Sequence, residues 1–431
     1  MVSLVCSFRY PGQYALTALV GALEAHPEFD DLPLHLPRRT DDLIAAVRDE
    51  QKRGRQVVVA WSFYSPSFPE CAEELRRVRA SVDAPFLAIA GGVHATAEPQ
   101  QTLEGGFDLI CIGEGERALP ELLRRLRDGG DVSTVPGFAR LVGREVVRAP
   151  KPQRIELDEF PPFSPRRGLF GAIELTRGCI YACRFCQTPF FSKATFRHRP
   201  VDDVARWARE LRRSGRRDVR FISPTSLSYG STDTSVNLAA VEALLAKVSE
   251  AMAPEGRVFF GTFPSEVRPE HVTPDALALL RRFVANDSLI IGGQSGSDRV
   301  LDRSRRGHDV GAIVRAVEVA VAGGFRPDVD FILGLPGEEA SDVAATVSLM
   351  ERLADLGARV HGHAFMPLPG TPFRDAPPAR IDEATQAALD RLASKQALYG
   401  HWKQQLATAA EIADRRDRPQ VARMMRGADN A

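Results

Sequence analysis

The sequence predicts an α/β protein with two successive sheets and a helical segment at its end. Two series of apolar runs alternate with stretches of helical periodicity, the first between residues 3 and 127 and the second between residues 171 and 365. Because continuous hydrophobic strands separated by helices form parallel sheets covered on both faces, the first series predicts a doubly wound, Rossmann-like domain. The second series contains six such strands and predicts a partial (β/α)6 barrel of the TIM type.

A connecting segment and the end of the chain complete this division. Residues 128–167 are rich in Pro and Gly and show no sustained period, which is typical of a connector. From Ile381 to about Arg416, apolar side chains recur at helical spacing. We therefore predict four parts, which are a first domain over 1–140, a linker over 141–165, the barrel over 166–375 and a C-terminal helical segment over 376–431.

The first series predicts a ligand site at one edge of its sheet. Its apolar strands read SLVCSF, QVVVAW, PFLAIAGG and FDLICIGEGE, and helical patterns follow the first, second and fourth of them. Ligands of doubly wound sheets bind at the carboxyl ends of the strands. We therefore expect a ligand at the loops that follow these strands, which are 8–12, 62–65, 91–94 and 113–116.

The second series predicts an active site on the loops of a barrel. Its strands read GAIELT, DVRFIS, RVFFGTF, SLIIGGQ, DVDFILG and VHGHAF, and each but the last is followed by a helical pattern. Barrels of this type place their chemistry on the loops that follow the strands.

Composition argues against a polyanionic partner. The 56 Lys and Arg residues equal the 56 Asp and Glu residues in number, so no overall field attracts the protein to nucleic acid or to a membrane surface. We expect a small-molecule or peptide substrate, no nucleic acid and no membrane partner. The sequence shows no run of about 18 apolar residues and no signal-peptide pattern, so we expect a cytoplasmic protein. Six cysteines are too few for a disulfide scaffold in a chain of this size.

Three cysteines follow the first barrel strand at short spacing. Cys179, Cys183 and Cys186 form a C-x3-C-x2-C motif that can converge on one metal centre. Zinc is an alternative, but structural zinc takes four protein ligands, and the closest further candidate is His198, twelve residues on. Three thiolates on a four-iron cluster leave one iron with an open coordination position. The motif therefore favours an iron-sulfur cluster that performs chemistry.

The segment from Glu174 to Cys186 resembles the signature of radical S-adenosylmethionine (SAM) enzymes, and the resemblance extends over about 165–375. In that family the open iron is chelated by SAM, and electron transfer cleaves SAM to a 5'-deoxyadenosyl radical. The resemblance implies a [4Fe-4S] cluster on the three cysteines, SAM as a second cofactor, and an electron donor such as flavodoxin or ferredoxin.

Later loops of the barrel also resemble the family's SAM-binding loops. Hydroxyl, carboxylate, guanidinium and amide groups there could bind the ribose and the methionyl part of SAM, and apolar side chains could enclose adenine. The family often has Gly-Gly-Glu after the second strand, whereas this chain has Ser223-Pro224-Thr225, so Ser223 or Thr225 would have to accept the SAM amino group. The candidate SAM residues are Phe185, Ser223, Thr225, Ser265, Glu266, Arg268, Gln294, Ser295, Leu335, Pro336 and Phe365.

The N-terminal domain resembles the cobalamin-binding domain that precedes the radical SAM barrel in one large subgroup. The matching segments are GGVHATAEP at 91–99, DLICIGEGE at 108–116 and the segment at Ser62. Glycines at these strand ends would let the backbone approach the corrin ring. The candidate cobalamin residues are Tyr10, Gly12, Ser62, Tyr64, Gly91, Gly92, Val93, His94, Gly113, Glu114, Gly115 and Glu116.

The group below cobalt is not expected to be a histidine. The Asp-x-His-x-x-Gly motif of another cobalamin group is absent, so we interpret His94 as a loop histidine satisfied by hydrogen bonds. The lower face of cobalt is then expected to meet Tyr10, Trp61, Tyr64 or a water.

The remaining cysteines raise an alternative function. Radical SAM methylthiotransferases bind a second cluster through three N-terminal cysteines, and this chain has Cys6, Cys71 and Cys111 in its first domain. Cys71 opens a predicted helix and Cys111 lies inside an apolar strand, so we expect these thiols to behave as small buried hydrophobes.

We predict a cobalamin-dependent radical SAM methyltransferase that acts on an unactivated carbon. The alternatives are a cobalamin-dependent cyclase or rearrangement enzyme, a methylthiotransferase, and a non-catalytic cobalamin or iron-sulfur sensor. In the C-terminal segment Tyr399, His401 and Trp402 combine aromatic surface with polar groups, so they are candidate substrate residues. A helix that merely seals the barrel is the alternative interpretation of that segment.

Overall fold

The computed structural model describes the backbone of residues 1–428 and the side chains of residues 1–418. The last three residues of the predicted C-terminal segment therefore lie outside the described residues. The described chain forms two compact units, Met1–Gly171 and Ala172–Ala431. Among the described residues, no helix combines the length and the apolar character that crossing a bilayer requires.

Unit 1 contains one seven-stranded sheet with helices between its strands. The strands are β1 (Val2–Cys6), β2 (Leu34–His35), β3 (Gln56–Ser62), β4 (Leu87–Gly91), β5 (Leu109–Cys111), β6 (Phe138–Val142) and β7 (Glu145–Arg148). The helices are α1 (Gln13–Glu24), α2 (Thr40–Lys52), α3 (Phe68–Ser81), α4 (Val93–Ala97), α5 (Pro99–Glu104) and α6 (Ala118–Arg127). The strand order is β2-β1-β3-β4-β5-β6-β7, and β1 to β5 are parallel.

The sheet of unit 1 is covered on both faces, as a doubly wound fold requires. Alternate residues of β1 enter different cores, because Leu4 and Cys6 pack into one cluster while Val5 packs into the other. This arrangement confirms the predicted Rossmann-like class.

The segment that we expected to be a linker is partly sheet. Strands β6 and β7 pair antiparallel with each other, and β6 pairs antiparallel with β5, so the hairpin extends the sheet to residue 148. Gly143 at the hairpin turn has φ 62°, a left-handed conformation that glycine adopts without strain. The side chains of β7 are mostly exposed, which explains why apolar periodicity did not indicate this strand.

Unit 2 contains the six strands predicted for the barrel and three short additional ones. Its strands are β8 (Ile173–Glu174), β9 (Thr176–Arg177), β10 (Arg197–His198), β11 (Asp218–Ile222), β12 (Arg257–Phe259), β13 (Ser288–Gln294), β14 (Arg326–Leu333), β15 (Arg359–Ala364) and β16 (Leu398–Tyr399). Its helices are α7 (Gln187–Phe191), α8 (Val201–Arg213), α9 (Leu238–Met252), α10 (Pro274–Phe283), α11 (Asp298–Arg303), α12 (Val310–Ala322), α13 (Ala340–Asp355), α14 (Glu383–Ser394) and α15 (Trp402–Ala428).

The parallel strands of unit 2 follow one another around a partial barrel. One sheet has the order β12-β11-β8 and the other has the order β13-β14-β15-β16. A parallel bridge between Ser223 and Ser265 joins the segments that follow β11 and β12, and one between Val267 and Ile291 joins the second of these segments to β13 of the other sheet. The predicted class of partial barrel is therefore confirmed, and the loops after its strands lie at one end.

The C-terminal segment is not one continuous helix. Helices α14 and α15 are separated by β16, which pairs parallel with β15. Gly400 explains the interruption, because it has φ 130° and a Cβ atom there would lie 2.3 Å from the carbonyl oxygen of Gly362. A residue with a side chain could not approach β15 so closely.

Candidate functional site

The cysteine motif lies in a loop that is closed at its base by two short strands. Strand β9 pairs antiparallel with β10, so residues 178–196 form one excursion from the barrel. Gly178 begins this loop with φ 88°, and a Cβ atom there would lie 2.1 Å from the Thr195 carbonyl oxygen. The close approach of the two ends of the loop therefore requires glycine at this position.

The three thiols of the loop line one cavity of about 540 Å³. Burial raises the pKa of Cys179 to about 12 and also raises the pKa of Cys186. Arg306, which is 4% exposed, donates from Nη1 to Cys183 Sγ over 3.3 Å. Thiols that are difficult to ionise by themselves become good ligands when a metal centre stabilises the thiolate. Three converging thiols beside one buried cation therefore fit an iron-sulfur cluster with three protein ligands.

The zinc alternative has no support from His198. Its Nδ1 contacts Thr176 Oγ1 at 2.9 Å and its Nε2 contacts the Ser231 carbonyl oxygen at 2.9 Å, so both ring nitrogens are engaged. His198 is also not among the residues that line the cavity.

Ser223 and Thr225 follow the second barrel strand and line the same cavity as the cysteines. The Ser223 hydroxyl donates to the Thr225 carbonyl oxygen over 3.0 Å. The Thr225 hydroxyl is buried and has no hydrogen-bond partner among the described residues. A buried polar group without a partner is unfavourable, so the Thr225 hydroxyl is the better available partner for a bound ligand.

The loop after the third strand contributes one carboxylate with an unusual pKa. Glu266 lines the cavity, and burial raises the pKa of its carboxyl group to about 7; nearby Asp330 raises it further, while Arg306 and Arg268 oppose the rise. Within the described part of the chain no group donates a hydrogen bond to this carboxylate. Glu266 can therefore accept hydrogen bonds from a ligand in the cavity.

Neighbouring residues of the same loop already have protein partners. Ser265 donates from its hydroxyl to the Ser223 carbonyl oxygen over 3.0 Å. Arg268 is 2% exposed, donates from Nε to Glu270, and stacks at 3.6 Å over the ring of Tyr181. These contacts hold the third loop against the cysteine loop.

Gln294 reaches the cavity through an irregular end of β13. The pairing of β13 with β14 shifts register between Gly292 and Gln294, and Gln294 has φ 78°. A left-handed conformation is strained for glutamine and is found where the surrounding structure requires it. The bulge directs the Gln294 side chain into the cavity, where its amide can bind a ligand.

The apolar candidates divide into two groups. Phe185 and Phe365 line the cavity, so they could enclose an aromatic base. Leu335 is 2% exposed and, like Pro336, is not among the lining residues.

The remaining polar candidate, Ser295, is fully buried and accepts from the backbone N–H of Ser297 over 3.3 Å, so it stabilises its own loop.

Several cavity residues besides Arg306 were not predicted from the sequence. Those with metal-ligating or amide side chains include Asp330 on β14, His361 and His363 on β15, and Gln405 on α15. Burial lowers the pKa of His363, so its imidazole is neutral near pH 7. The i, i+2 spacing of the two histidines in VHGHAF was a usable signal, because such residues point to the same face of a strand.

The predicted substrate residues of the C-terminal segment do not line the cavity. The Tyr399 ring stacks on His361 with centroids 4.5 Å apart, whereas His401 is exposed. Trp402 is 6% exposed and packs against Gly362, where a Cβ atom would lie 3.3 Å from the indole. A Trp402→Ala variant would therefore test packing, and Gln405 is the residue of this segment that reaches the cavity.

In unit 1 the predicted ligand loops share the carboxyl edge of the parallel strands. Tyr10 and Tyr64 are exposed there, at 67% and 45% of their surface. Gly113 is exposed with φ 91°, and a Cβ atom there would meet no atom within 4 Å. Exposed aromatic rings and an open glycine at one edge of a sheet fit a flat ligand that lies against this edge.

Two of the predicted glycines are required by the close approach of the protein backbone. A Cβ atom at Gly12 would lie 1.9 Å from the Ser62 carbonyl oxygen, and one at Gly92 would lie 2.7 Å from the Phe63 carbonyl oxygen. A Cβ atom at Gly115 would lie 2.9 Å from the side chain of Leu19. By contrast, Gly91 has only an ordinary contact of 3.8 Å with Cys111.

Other candidates of this edge are buried. His94 is 1% exposed, contacts Ser65 Oγ at 3.0 Å through Nδ1, and stacks on Phe68. Val93 and His94 begin α4, and Glu116 is 6% exposed, while Glu114 accepts from the backbone N–H of Ile155 over 3.3 Å. Trp61 is 2% exposed and donates to the buried Glu74 over 2.9 Å, so it cannot be the group below cobalt that we considered.

Two known families match successive parts of the chain. Residues 10–123 match the B12 binding domain, and residues 173–350 match the Radical SAM superfamily.

Two curated relatives have similar sequences. An uncharacterised protein of Methanopyrus kandleri is 27% identical over 353 residues, which are 69% of this chain and 65% of that protein. A tRNA-2-methylthio-N(6)-dimethylallyladenosine synthase of Methylobacillus flagellatus is 29% identical over 282 residues, which are 63% of this chain and 59% of that protein. The chain thus spans less than two thirds of the length of either relative.

Two solved structures have a similar fold. TsrM from Kitasatospora setae, a radical SAM methyltransferase with bound cobalamin and [4Fe-4S] cluster, superimposes with a TM-score of 0.68 at 19% identity, over 87% of this chain and 74% of TsrM. OxsB, a cobalamin-dependent SAM radical enzyme, gives a TM-score of 0.62 at 17% identity, over 92% of this chain and 55% of OxsB. At these identities the likeness is one of fold.

Proposed function

We propose that this chain, a B12-binding domain followed by a radical SAM domain, transfers a methyl group to an unactivated carbon of a small molecule or peptide. The cofactors that these domains take are cobalamin, SAM and a [4Fe-4S] cluster. When bound, the cluster and SAM supply a 5'-deoxyadenosyl radical, and cobalamin supplies a carrier for the methyl group. A cobalamin-dependent cyclase or rearrangement enzyme remains the second candidate.

The single observation that supports the SAM part of this proposal is the shared cavity of unit 2. Cys179, Cys183 and Cys186 would hold the cluster at one wall of it. The unpartnered Thr225 hydroxyl would accept the SAM amino group in place of the family's usual glutamate, and Glu266 would accept a ribose hydroxyl. The described side chains of this cavity would also exclude water from the reacting atoms.

The positions of the other cysteines argue against a methylthiotransferase. Cys6 and Cys111 belong to the core cluster on one face of the first sheet, whereas Cys71 packs into the cluster on the opposite face. Burial raises the pKa of each of these thiols to about 12. Three thiols divided between two faces of a sheet cannot bind one second cluster.

We assign cobalamin to the carboxyl edge of the first sheet, with the exposed Tyr10 and Tyr64 beside it and no histidine on cobalt. We further assign the electron supply to a flavodoxin or ferredoxin and the reaction to the cytoplasm, where a reducing environment keeps the six free cysteines as thiols.

Corrinoid binding is expected to be sensitive to Gly91. A Gly91→Leu variant places an aliphatic side chain at the carboxyl end of β4, and its Cβ atom meets no atom closer than 3.8 Å. We expect corrinoid affinity to fall at least about tenfold while unit 1 remains folded, because the leucine side chain would occupy the protein surface against which the corrinoid binds. Equilibrium dialysis with hydroxocobalamin measures the affinity.

The matched control for Gly91 is Val147→Leu, which adds volume on the exposed strand β7. Gly92→Val is unsuitable as a test because φ 94° and the Phe63 carbonyl oxygen already exclude a side chain there. Equal corrinoid affinity in Gly91→Leu and Val147→Leu would show that the corrinoid does not bind at this edge of the sheet.

The first methyl transfer, from SAM to cobalamin, can be tested without the substrate. Cluster-loaded protein with SAM, reductant and cobalamin is expected to release S-adenosylhomocysteine and 5'-deoxyadenosine, and both are measured by liquid chromatography with mass spectrometry. Omission of cobalamin should abolish S-adenosylhomocysteine while 5'-deoxyadenosine persists, because the two products arise from different uses of SAM. S-adenosylhomocysteine formed at the same rate without cobalamin would reject the proposed methyltransferase.

A further inference from the structure

Two histidines and one aspartate converge on the wall of the unit 2 cavity. His361 and His363 stand two residues apart on β15, so both point to the same face of the strand. Asp330 is the direct register partner of His361 on the adjacent strand β14. Two regular strands therefore fix the three side chains, which gives the group a rigid base.

The three ligand atoms have the separations of a metal coordination sphere. Asp330 Oδ1 lies 3.0 Å from His361 Nδ1 and 4.0 Å from His363 Nε2, and the two nitrogens are 3.2 Å apart. A triangle with these sides has a circumscribed radius of about 2.0 Å, so one point lies at that distance from all three atoms. Zinc bonds to imidazole nitrogen and carboxylate oxygen have lengths of roughly 2.0 to 2.2 Å.

Two atoms of this group face one ring nitrogen. Asp330 Oδ1 lies 3.0 Å and His363 Nε2 lies 3.2 Å from His361 Nδ1, and this nitrogen can carry at most one proton. Gln405 Oε1 accepts from the Ala364 backbone N–H over 2.9 Å, so the amide nitrogen of Gln405 faces His363 Nδ1 at 3.3 Å.

A cation at the common point would accept a lone pair from each of the three atoms. We propose that Asp330, His361 and His363 bind a divalent transition-metal ion of the zinc class, with its remaining coordination positions open to the cavity. Imidazole and carboxylate suit such ions, and sites with three protein ligands keep a position for water or substrate. This metal would be additional to the three cofactors of the proposed function and does not depend on that function.

The surroundings already orient the ligands. The Tyr399 ring stacks on His361 with an interplanar angle of 9°, which fixes the plane of the imidazole. The amide N–H of Gln405 faces His363 Nδ1. A metal-bound His363 would carry its own proton on Nδ1, so two donors would then face each other. A carboxylate at position 405 could accept from both His363 and the Ala364 N–H, so Gln405→Glu should strengthen metal binding.

Zinc content tests the site in the cluster-loaded protein. Protein with about four irons per chain is dialysed against Zn²⁺, desalted, and measured for iron and zinc by inductively coupled plasma mass spectrometry. We expect one zinc per chain without loss of iron. His363→Gln and Asp330→Asn should each lower zinc affinity at least about tenfold, as measured by competition with a chromophoric chelator.

Two further variants distinguish a specific zinc site from nonspecific zinc binding. Gln405→Glu should raise zinc affinity about tenfold, an increase that a general loss of folding cannot produce. His26→Gln in unit 1 is the control and should leave the affinity unchanged. Wild-type protein that retains no stoichiometric zinc, or His363→Gln that retains it with unchanged affinity, would overturn the proposal. Because the measurement involves neither SAM nor cobalamin, that result would leave the proposed methyl transfer standing.

Discussion

Replacing Cys179, Cys183 and Cys186 together by alanine is expected to remove the iron of the reconstituted protein and all formation of 5'-deoxyadenosine. The three thiols line one cavity, and no other cysteine among the described residues lines it. Without them a four-iron cluster has no protein ligands there. Iron analysis should fall from about four per chain to near zero, and the absorbance near roughly 400 nm should disappear.

The control for this variant is Cys71→Ala, which removes a thiol from unit 1 and should retain the iron. The barrel should remain folded in the triple variant, because its helices and strands do not depend on these side chains, and circular dichroism checks this. A folded triple variant that retains iron and still cleaves SAM would refute the assignment of the cluster ligands.

SAM affinity is expected to depend on the ionisation of Glu266. Because burial raises the pKa of its carboxyl group to about 7, the residue is largely neutral at pH 6 and largely ionised at pH 8. An ionised carboxylate accepts hydroxyl hydrogen bonds more strongly than a neutral carboxyl group does. Anaerobic calorimetry should therefore show SAM binding about tenfold tighter at pH 8 than at pH 6.

The Glu266→Gln variant should bind SAM weakly at both pH values, because the amide of glutamine stays neutral at pH 6 and at pH 8.

The Glu266→Gln substitution should also stabilise the protein against unfolding in the absence of SAM. A carboxyl group whose folded pKa is raised contributes stability that is present below its ordinary pKa of 4.5 and is lost as pH rises through about 7. The loss is at most about 3 kcal/mol, from 1.36 kcal/mol per pKa unit.

Thermal unfolding at pH 6 and pH 8 measures this difference, with the exposed Glu351→Gln as the control. The melting temperature of Glu266→Gln should exceed that of the unmodified protein at both pH values, and the difference should be larger at pH 8 than at pH 6, because the destabilisation grows as pH rises from 4.5 to about 7. Parallel pH dependence of SAM binding in the wild-type and Glu266→Gln proteins would show that this carboxylate does not contact SAM.

The sequence predicted the strands well because the two sheets are buried on both faces. Strand β3 is a run of buried apolar residues, and such runs have few alternative interpretations. The hairpin of β6 and β7 was missed because β7 is mostly exposed. The break between α14 and α15 was missed because it depends on the close approach of Gly400 to Gly362, two residues far apart in the sequence.

The candidate site was predictable where chemistry follows from local spacing. The cysteine motif is contained within eight residues, and Glu266 and Gln294 were identified because their loops resemble the SAM-binding loops of the family. Arg306 could not be predicted in the same way, because its contact with Cys183 joins residues 123 apart. The approach of the Phe63 carbonyl to Gly92 could not be predicted either, because it joins loops that follow two different strands.

The contribution of α15 to the cavity has a consequence for the order of folding. The cysteine loop is synthesised more than 200 residues before Gln405, which lines the same cavity. Contacts between residues so distant in sequence require closure of a long loop, and they form late because that closure costs chain entropy. We therefore expect the three thiols to be most accessible to oxygen during synthesis, before the last helix docks.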